Sequence, residues 1–313
     1  MIPLRSPQEA RRPTAVAVGS FDGLHQGHRR VIAKIKSNTD IKSIPTVVSF
    51  WPHPREVLHG DSRLRLDMPA EKLTLLESLG IKQLVLVPFN ERLANLSPDQ
   101  FVKEVLKQQL GAVKIAVGQN FRFGVNRTGN ISDLGQIAQE LGIKVEVLPM
   151  LCDGEEKISS SRIRKALTKG QIYEATRLLG RPYRFSGSIT SIWSIERKAC
   201  WDKIVLQVDG RKFLPCEGVY AVWVRLAQCI TSQFSIGAIM SLRQHLSVES
   251  ASLYTIEVYL PQKRILSPGL ELYIEPVHLI RNQQQFPSLT EMNQQITKDI
   301  ESAYKILGIT KTE

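Results

Sequence analysis

Cysteine is scarce in this chain. Four occur in 313 residues (Cys152, Cys200, Cys216 and Cys229), none in a CxxC pair and none with a histidine at zinc-ligand spacing. That excludes a disulfide framework and a structural zinc module. Long apolar runs are missing as well: no stretch approaches the ~18 residues of a membrane span. The opening residues MIPLRSPQEARRPTAVAVG carry basic side chains but no signal-like apolar core, so the pattern predicts a soluble, unprocessed, cytoplasmic protein without a membrane partner. Arginine-rich tracts, zinc-finger spacing and an aromatic RNA-binding strand are also lacking, which argues against a nucleic-acid partner. There are no internal repeats or low-complexity segments, and nothing in the sequence fixes an oligomeric state.

What is present is ordinary for a folded chain: 42% hydrophobic and 23% charged residues, enough apolar material for two domains of the usual ~100–200 residues. The net charge of +11 is unevenly placed. Residues 1–185 hold 28 basic and 18 acidic side chains, or +10, whereas residues 186–313 hold 13 and 12, or +1. An anionic ligand is therefore expected in the first part.

Short Val/Ile/Leu-rich runs at 15–21, 45–51, 83–89, 114–118 and 144–150 alternate with helix-like stretches at 24–37, 69–79, 98–110 and 131–141. Strand and helix in alternation predict a doubly wound α/β domain on a parallel sheet. Ligands bind such sheets beyond the carboxyl ends of the strands, which would bring the loops at 19–28, 51–55 and 118–129 to one cleft. Helices are expected at 159–168 and 171–180. After Pro182 the pattern changes to short alternating runs at 204–208, 218–225, 254–260 and 271–274, separated by turns such as Asp209-Gly210. They predict a small antiparallel β-barrel closed by an amphipathic C-terminal helix at 288–306. The expected domains are 14–182 and 183–313.

Chemistry concentrates in the segment GSFDGLHQGHRRVI at 19–32. His25 and His28 bracket Gly27 at the start of a helix, where unpaired N–H groups favour an anion, and Gly19, Gly23 and Gly27 let backbone approach phosphate. A pair of capping histidines in a glycine-rich turn is the plainer alternative. In ISSSRIR at 158–164, Ser159, Ser160 and Ser161 offer hydroxyls at a helix start and Arg162 and Arg164 add positive charge; a simple serine cap with solvated arginines competes. Asp22 reads equally as a cap or a site residue.

An HxGH after the first strand of an α/β sheet is the mark of nucleotidylyltransferases related to class I aminoacyl-tRNA synthetases. Together with SFWPHPREVL at 49–58 and VGQNFRFGVNRTGN at 117–130, the segments FDGLHQGH and ISSSRIR resemble the adenylyltransferase module of the bacterial riboflavin kinase/FAD synthetase family, whose four motifs this chain matches in order. Ser161 stands where the family has threonine. The resemblance implies an FAD synthetase that transfers AMP from ATP to FMN with Mg²⁺, releasing pyrophosphate. It gives His25, His28 and Arg164 to catalysis, with either histidine able to become cationic on phosphate. Gly19, Phe21, Asp22, Gly23, Gly27, Ser159, Ser160 and Ser161 fall to ATP and pyrophosphate. Pro52, His53, Pro54, Asn120, Phe121, Phe123 and Arg127 fall to the flavin. On their own chemistry His53 could equally be a packed turn residue, and Phe121 and Phe123 core.

In the same family the C-terminal module is a barrel riboflavin kinase. PCEGVYAV at 215–222 fits it, Glu257 occupies the catalytic glutamate position, and Arg281 opens the RNQQQF segment. Where the family has GFPTAN, however, residues 199–204 read ACWDKI, without the threonine and asparagine that in the family hold magnesium and nucleotide phosphates. The expectation is a degenerate kinase module with weak or absent activity, Asp202 being the one substitute ligand at hand. A bifunctional enzyme and a noncatalytic flavin-binding regulatory protein are the alternatives.

Overall fold

A computed structural model describes residues 2–36, 42–61, 65–195, 201–227, 235–244, 254–261 and 266–309. Cys200, Cys229 and the first two residues of the ACWDKI segment lie outside them. The chain forms two compact units, Met1–Ser160 and Ser161–Glu313.

The first unit runs β1 (Leu4–Arg5), β2 (Thr14–Val18), α1 (Gln26–Lys34), β3 (Ile44–Trp51), α2 (Pro54–His59), α3 (Pro69–Ser78), β4 (Gln83–Pro88), α4 (Glu91–Ala94) and α5 (Pro98–Gln100). α5 continues directly as a π-helical segment, Phe101–Gln109, followed by β5 (Ala112–Gly118), α6 (Ile131–Glu140), β6 (Lys144–Leu148) and a two-stranded hairpin, β7 (Cys152–Asp153) and β8 (Glu156–Lys157). The sheet order is β1-β4-β3-β2-β5-β6, with every pair parallel. Period-two alternation sends the strand residues to opposite faces. Ala15, Ala17, Val47, Leu84 and Ala116 pack under Val31 and Ile32 of α1 and Leu73 and Leu76 of α3. Val16, Val18, Val48, Val85, Ile115 and Val117 pack under Phe101, Val102 and Val105 of the π-helical segment and Leu134 and Ala138 of α6. The doubly wound α/β expectation holds. Chain order reverses direction between β2 and β5, so the crevice for a ligand opens at their carboxyl ends.

The second unit contains the body of α7 (Ser160–Thr168), α8 (Ile172–Leu179), and a closed antiparallel barrel of β9 (Phe185–Ile195), β10 (Trp201–Gln207), β11 (Gly218–Leu226), β12 (Ile236–Gln244), β13 (Tyr254–Pro261) and β14 (Glu271–Arg281), ordered β10-β13-β12-β11-β14-β9, with α9 (Leu289–Leu307). The helices after Ser160 are tied to the barrel: the Cys216 N–H donates to Leu167 O at 3.1 Å, and α8 packs on β14. Tyr220, Val222, Met240, Val258, Ile204 and Phe185 are fully or almost fully buried, while Val219, Ala221, Ile239 and Tyr259 meet Ile300 and Ala303 of α9. Among the described residues no helix is long and apolar enough to cross a membrane.

α9 is held by charge as well as by apolar contact. The Arg281 guanidinium grips the Asp299 carboxylate through Nε (3.0 Å to each oxygen) and Nη2 (2.7 Å), and Asp299 is 2% exposed. Removing one partner of a buried pair strands the other. Asp299→Ala is expected to destabilise the second unit by about 3 kcal/mol in urea unfolding; a loss below about 0.5 kcal/mol, typical of exposed pairs, would contradict the pairing.

Candidate active site

β2 ends at Val18, and the chain then makes a strained turn into α1. The Gly19 N–H donates to Val48 O at 3.1 Å. Beyond it Phe21 (φ 44°), Gly23 (φ 86°) and Leu24 (φ 42°) adopt left-handed backbone, which only Gly23 accepts without cost. Phe21 and Leu24 are 3% and 1% exposed; their insertion into the core on the α1 face holds the backbone where it would not rest by itself. The turn delivers His25 to the N-cap of α1, where its Nδ1 accepts the His28 N–H at 3.4 Å, which leaves the His25 proton on Nε2. The two imidazoles stack, with ring centroids 3.6 Å apart and 18° between planes, and Phe21 sets its edge against His28 at 5.2 Å. Gly27 leaves this stack room: a Cβ there would sit 3.2 Å from His25 Cε1 and 3.3 Å from its Nδ1, a tight contact that would crowd the ring.

Burial dominates the electrostatics of the pair. It lowers the His25 pKa to about 4 against the pull of Asp67. His28 is pushed well below the ordinary value by burial, then by His25 and Lys72. Both rings are therefore neutral at pH 7 in the free protein, and a cationic histidine has to be created by an arriving anion. His28 Nδ1 is buried and has no hydrogen-bond partner, a polar atom left to a ligand.

Asp22, 4% exposed, faces inward. Its Oδ1 accepts the Leu66 N–H at 2.8 Å, and its carbonyl accepts the Ser160 hydroxyl at 2.7 Å. That second bond brings the start of α7 to the histidine turn. It also commits the one hydroxyl proton of Ser160, so what Ser160 can donate to a phosphate is its backbone N–H. Ser159 is half-buried and Ser161 exposed. Arg162 pairs with Glu174 at 3.0 Å, and Arg164, half-buried, lies one turn into the helix.

The other two loops emerge from neighbouring strands at the same edge of the sheet. His53 caps α2, accepting the Arg55 N–H on Nδ1 at 3.2 Å, with Pro54 in the first turn and Glu56 completing a reciprocal cap; Pro52 is exposed. In the loop after β5, Phe123 is 6% exposed and packs in the core against Phe101. Phe121 stacks on it at 5.4 Å and keeps a half-buried outer face, while Asn120 and Arg127 are exposed.

Sequence reasoning missed a buried charged layer beneath the turn. Arg65, Asp67 and Lys72 are 5%, 3% and 6% exposed. Arg65 donates to Glu56 at 2.7 Å and lies 3.6 Å over the Trp51 ring. Lys72 donates to Ser20 O at 3.0 Å. Charged residues at a helix start read as solvated, and no periodicity betrays that these point inward.

In the barrel, Glu257 pairs with Lys203 at 3.1 Å and accepts the Tyr259 hydroxyl at 3.2 Å. Arg281 is committed to Asp299. Among the described residues no group of three or more His, Cys, Asp or Glu side chains is placed to hold a metal ion.

The neutral His25 has a consequence for stability. Between pH 6.5 and about 4 the unfolded chain binds a proton that the folded chain refuses, so stability present above pH 6.5 is lost as pH falls. From pH 7 to pH 5 the wild-type protein is expected to lose about 2 kcal/mol more than His25→Asn, which keeps a cap acceptor but cannot titrate. Parallel urea-midpoint curves for the two proteins would contradict this.

Both parts of the chain match known families. The FAD synthetase family pattern matches residues 7–162 and the riboflavin kinase pattern matches residues 179–307. The bifunctional riboflavin kinase/FMN adenylyltransferase of Buchnera aphidicola subsp. Schizaphis graminum is 32% identical over 305 residues, 95% of either chain. The enzyme of that description from Escherichia coli K12 is 30% identical over 320 residues, 98% of this chain and 96% of that one. A crystal structure described as a macrolide-efflux protein from Streptococcus pneumoniae shares the fold, with a TM-score of 0.81 and 24% identity across 96% of this chain and 98% of that one. With both family patterns in order and similarity along nearly its whole length, the chain belongs to the bifunctional riboflavin kinase/FMN adenylyltransferase family.

Proposed function

We propose that the first unit makes FAD from FMN and ATP at the histidine turn. The observation that carries this reading is the stacked imidazole pair at the N-terminus of α1, beside the switch point of the sheet, with His28 Nδ1 buried and unpartnered. An FMN phosphate oxygen attacks the α-phosphorus of ATP, the bond to the β-phosphate oxygen breaks, and pyrophosphate leaves. No covalent intermediate on the protein is needed, so its task is alignment and charge stabilisation. His25, through Nε2–H, and His28 donate to the nonbridging and leaving oxygens, and the gathering negative charge raises their affinity for a proton. Gly19, Gly23 and Gly27 leave room for the triphosphate. The first N–H groups of α7, at Ser159 to Ser161, suit the departing pyrophosphate, to which the ISSSRIR resemblance adds Arg164. The 52–54 turn, Asn120, Phe121 and Arg127 are the flavin side, with Phe123 backing Phe121. Mg²⁺ brought by ATP would be held largely by phosphate and water and would supply charge neutralisation there.

A second reading gives the barrel riboflavin phosphorylation as well. It is favoured by the full-length similarity to enzymes described as bifunctional and by the riboflavin kinase match across 179–307, and it fits these comparisons better than FAD synthesis alone. Against it stand the missing threonine and asparagine of the ACWDKI segment and the Lys203 ammonium on Glu257, which neutralises the carboxylate a kinase would use as a base.

Chromatography of products from the full chain with Mg²⁺ separates the readings. FMN plus ATP is expected to yield FAD and pyrophosphate, and no FAD would overturn the first reading. Riboflavin plus ATP yields FMN or FAD only if the barrel is a kinase. His28→Ala is expected to lower kcat for FAD formation about 10²- to 10³-fold, the usual cost of a lost preorganised donor, with FMN affinity unchanged; near wild-type turnover would remove His28 from the reaction.

A further inference from the structure

Lys72 is a buried basic side chain beside two buried carboxylates, Asp22 and Asp67. It sits in the first turn of α3, a helix that otherwise turns Leu73 and Leu76 to the core, and it is 6% exposed. Its Nζ donates to Ser20 O at 3.0 Å and to Ser49 Oγ at 3.5 Å, while the Ser49 hydroxyl donates to the same Ser20 carbonyl at 2.9 Å. Ser20 directly precedes Phe21, the first left-handed residue of the histidine turn. A buried basic group carries a desolvation penalty, which its hydrogen bond to the Ser20 carbonyl and the Asp22 and Asp67 carboxylates offset.

We propose that Lys72 is a positioning residue of the adenylyl-transfer site: it pins the Ser20 carbonyl at the root of the strained turn that carries the imidazole pair. The inference rests on the first reading above.

The charges around it fit this role. Asp22 and Asp67 supply countercharge to Lys72, and Arg65 opposes it, while burial alone pulls its pKa down. His28 is faced by His25 and Phe21 from the turn itself and feels Lys72 from α3. His25 feels Asp67. Burial is the main cause that disfavours a proton on His28, and His25 and then Lys72 act in the same direction. A neutral stacked pair avoids the like-charge repulsion that two imidazoliums 3.6 Å apart would suffer, and a ligand of high negative charge is then the condition for protonating it.

The test uses Lys72→Met, which keeps the length of the side chain and removes the donor to Ser20, and Lys72→Arg, which keeps a donor. In turnover of the full chain, Lys72→Met is expected to lower kcat about 10-fold or more, with a smaller change in KM for ATP and rescue by Lys72→Arg. A folded Lys72→Met with wild-type kcat overturns the proposal. Where Lys72→Met fails to fold, Ser49→Ala, which removes the other donor to the Ser20 carbonyl, decides, because wild-type kcat in that variant overturns the proposal equally. Failure of the adenylyltransferase reading shows instead as no FAD from the wild-type protein.

Discussion

The turn from Ser20 to His25 is the constraint on which the site depends. It bends the chain out of β2 through two non-glycine residues in left-handed backbone, at a cost of about 1–3 kcal/mol each. Burial of the Phe21 and Leu24 side chains offsets this by a similar amount, about 1.5–3 kcal/mol apiece. Polar anchors supply direction: Asp22 takes the Leu66 N–H, Ser160 and Lys72 hold the Asp22 and Ser20 carbonyls, and Ser49 doubles the grip on Ser20. The turn is thus fastened to β3, to α3 and to the start of α7 at once. A helix N-terminus with two imidazoles on it is a common object; one whose rings are stacked on a turn anchored by a buried lysine is a site preorganised for a polyanion.

Much of the first unit was legible because its strands are buried on both faces and read as continuous Val/Ile/Leu runs. What escaped was short or polar. The two residues of β1 have meaning only through pairing with β4, and α2 and α4 exist through their caps, His53 with Glu56 and Asn90. In the barrel, β9 (FSGSITSIWSI) and β12 (IGAIMSLRQ) were missed. β9 carries serine and threonine at its outward positions, and β12 carries glycine and a polar end, so neither stood out from turn sequence. The expected helix at 98–110 is there, but after one capped turn it widens to π geometry, a hydrogen-bond register that side-chain spacing does not announce.

The candidate site shows the same division. His25, His28, the glycines and the serines could be named because their spacing is itself the chemistry. Arg65, Asp67 and Lys72 could not, since a charged residue in a sequence defaults to solvent and only the fold reveals that these lie inside. Phe123 is the reverse case: a motif aromatic that the structure gives to the core, leaving Phe121 to face outward. In the barrel the two retained kinase landmarks are engaged within the unit, Glu257 by Lys203 and Arg281 by Asp299.

The central claim is that the imidazole pair is neutral in the free protein and takes up a proton when the nucleotide arrives. Calorimetry of a nonhydrolysable ATP analogue with Mg²⁺, repeated near pH 6.5 in buffers of different ionisation enthalpy, measures this directly. The account predicts net proton uptake by the wild-type protein that disappears when His25 and His28 are both replaced by asparagine. Binding heats independent of the buffer would contradict it.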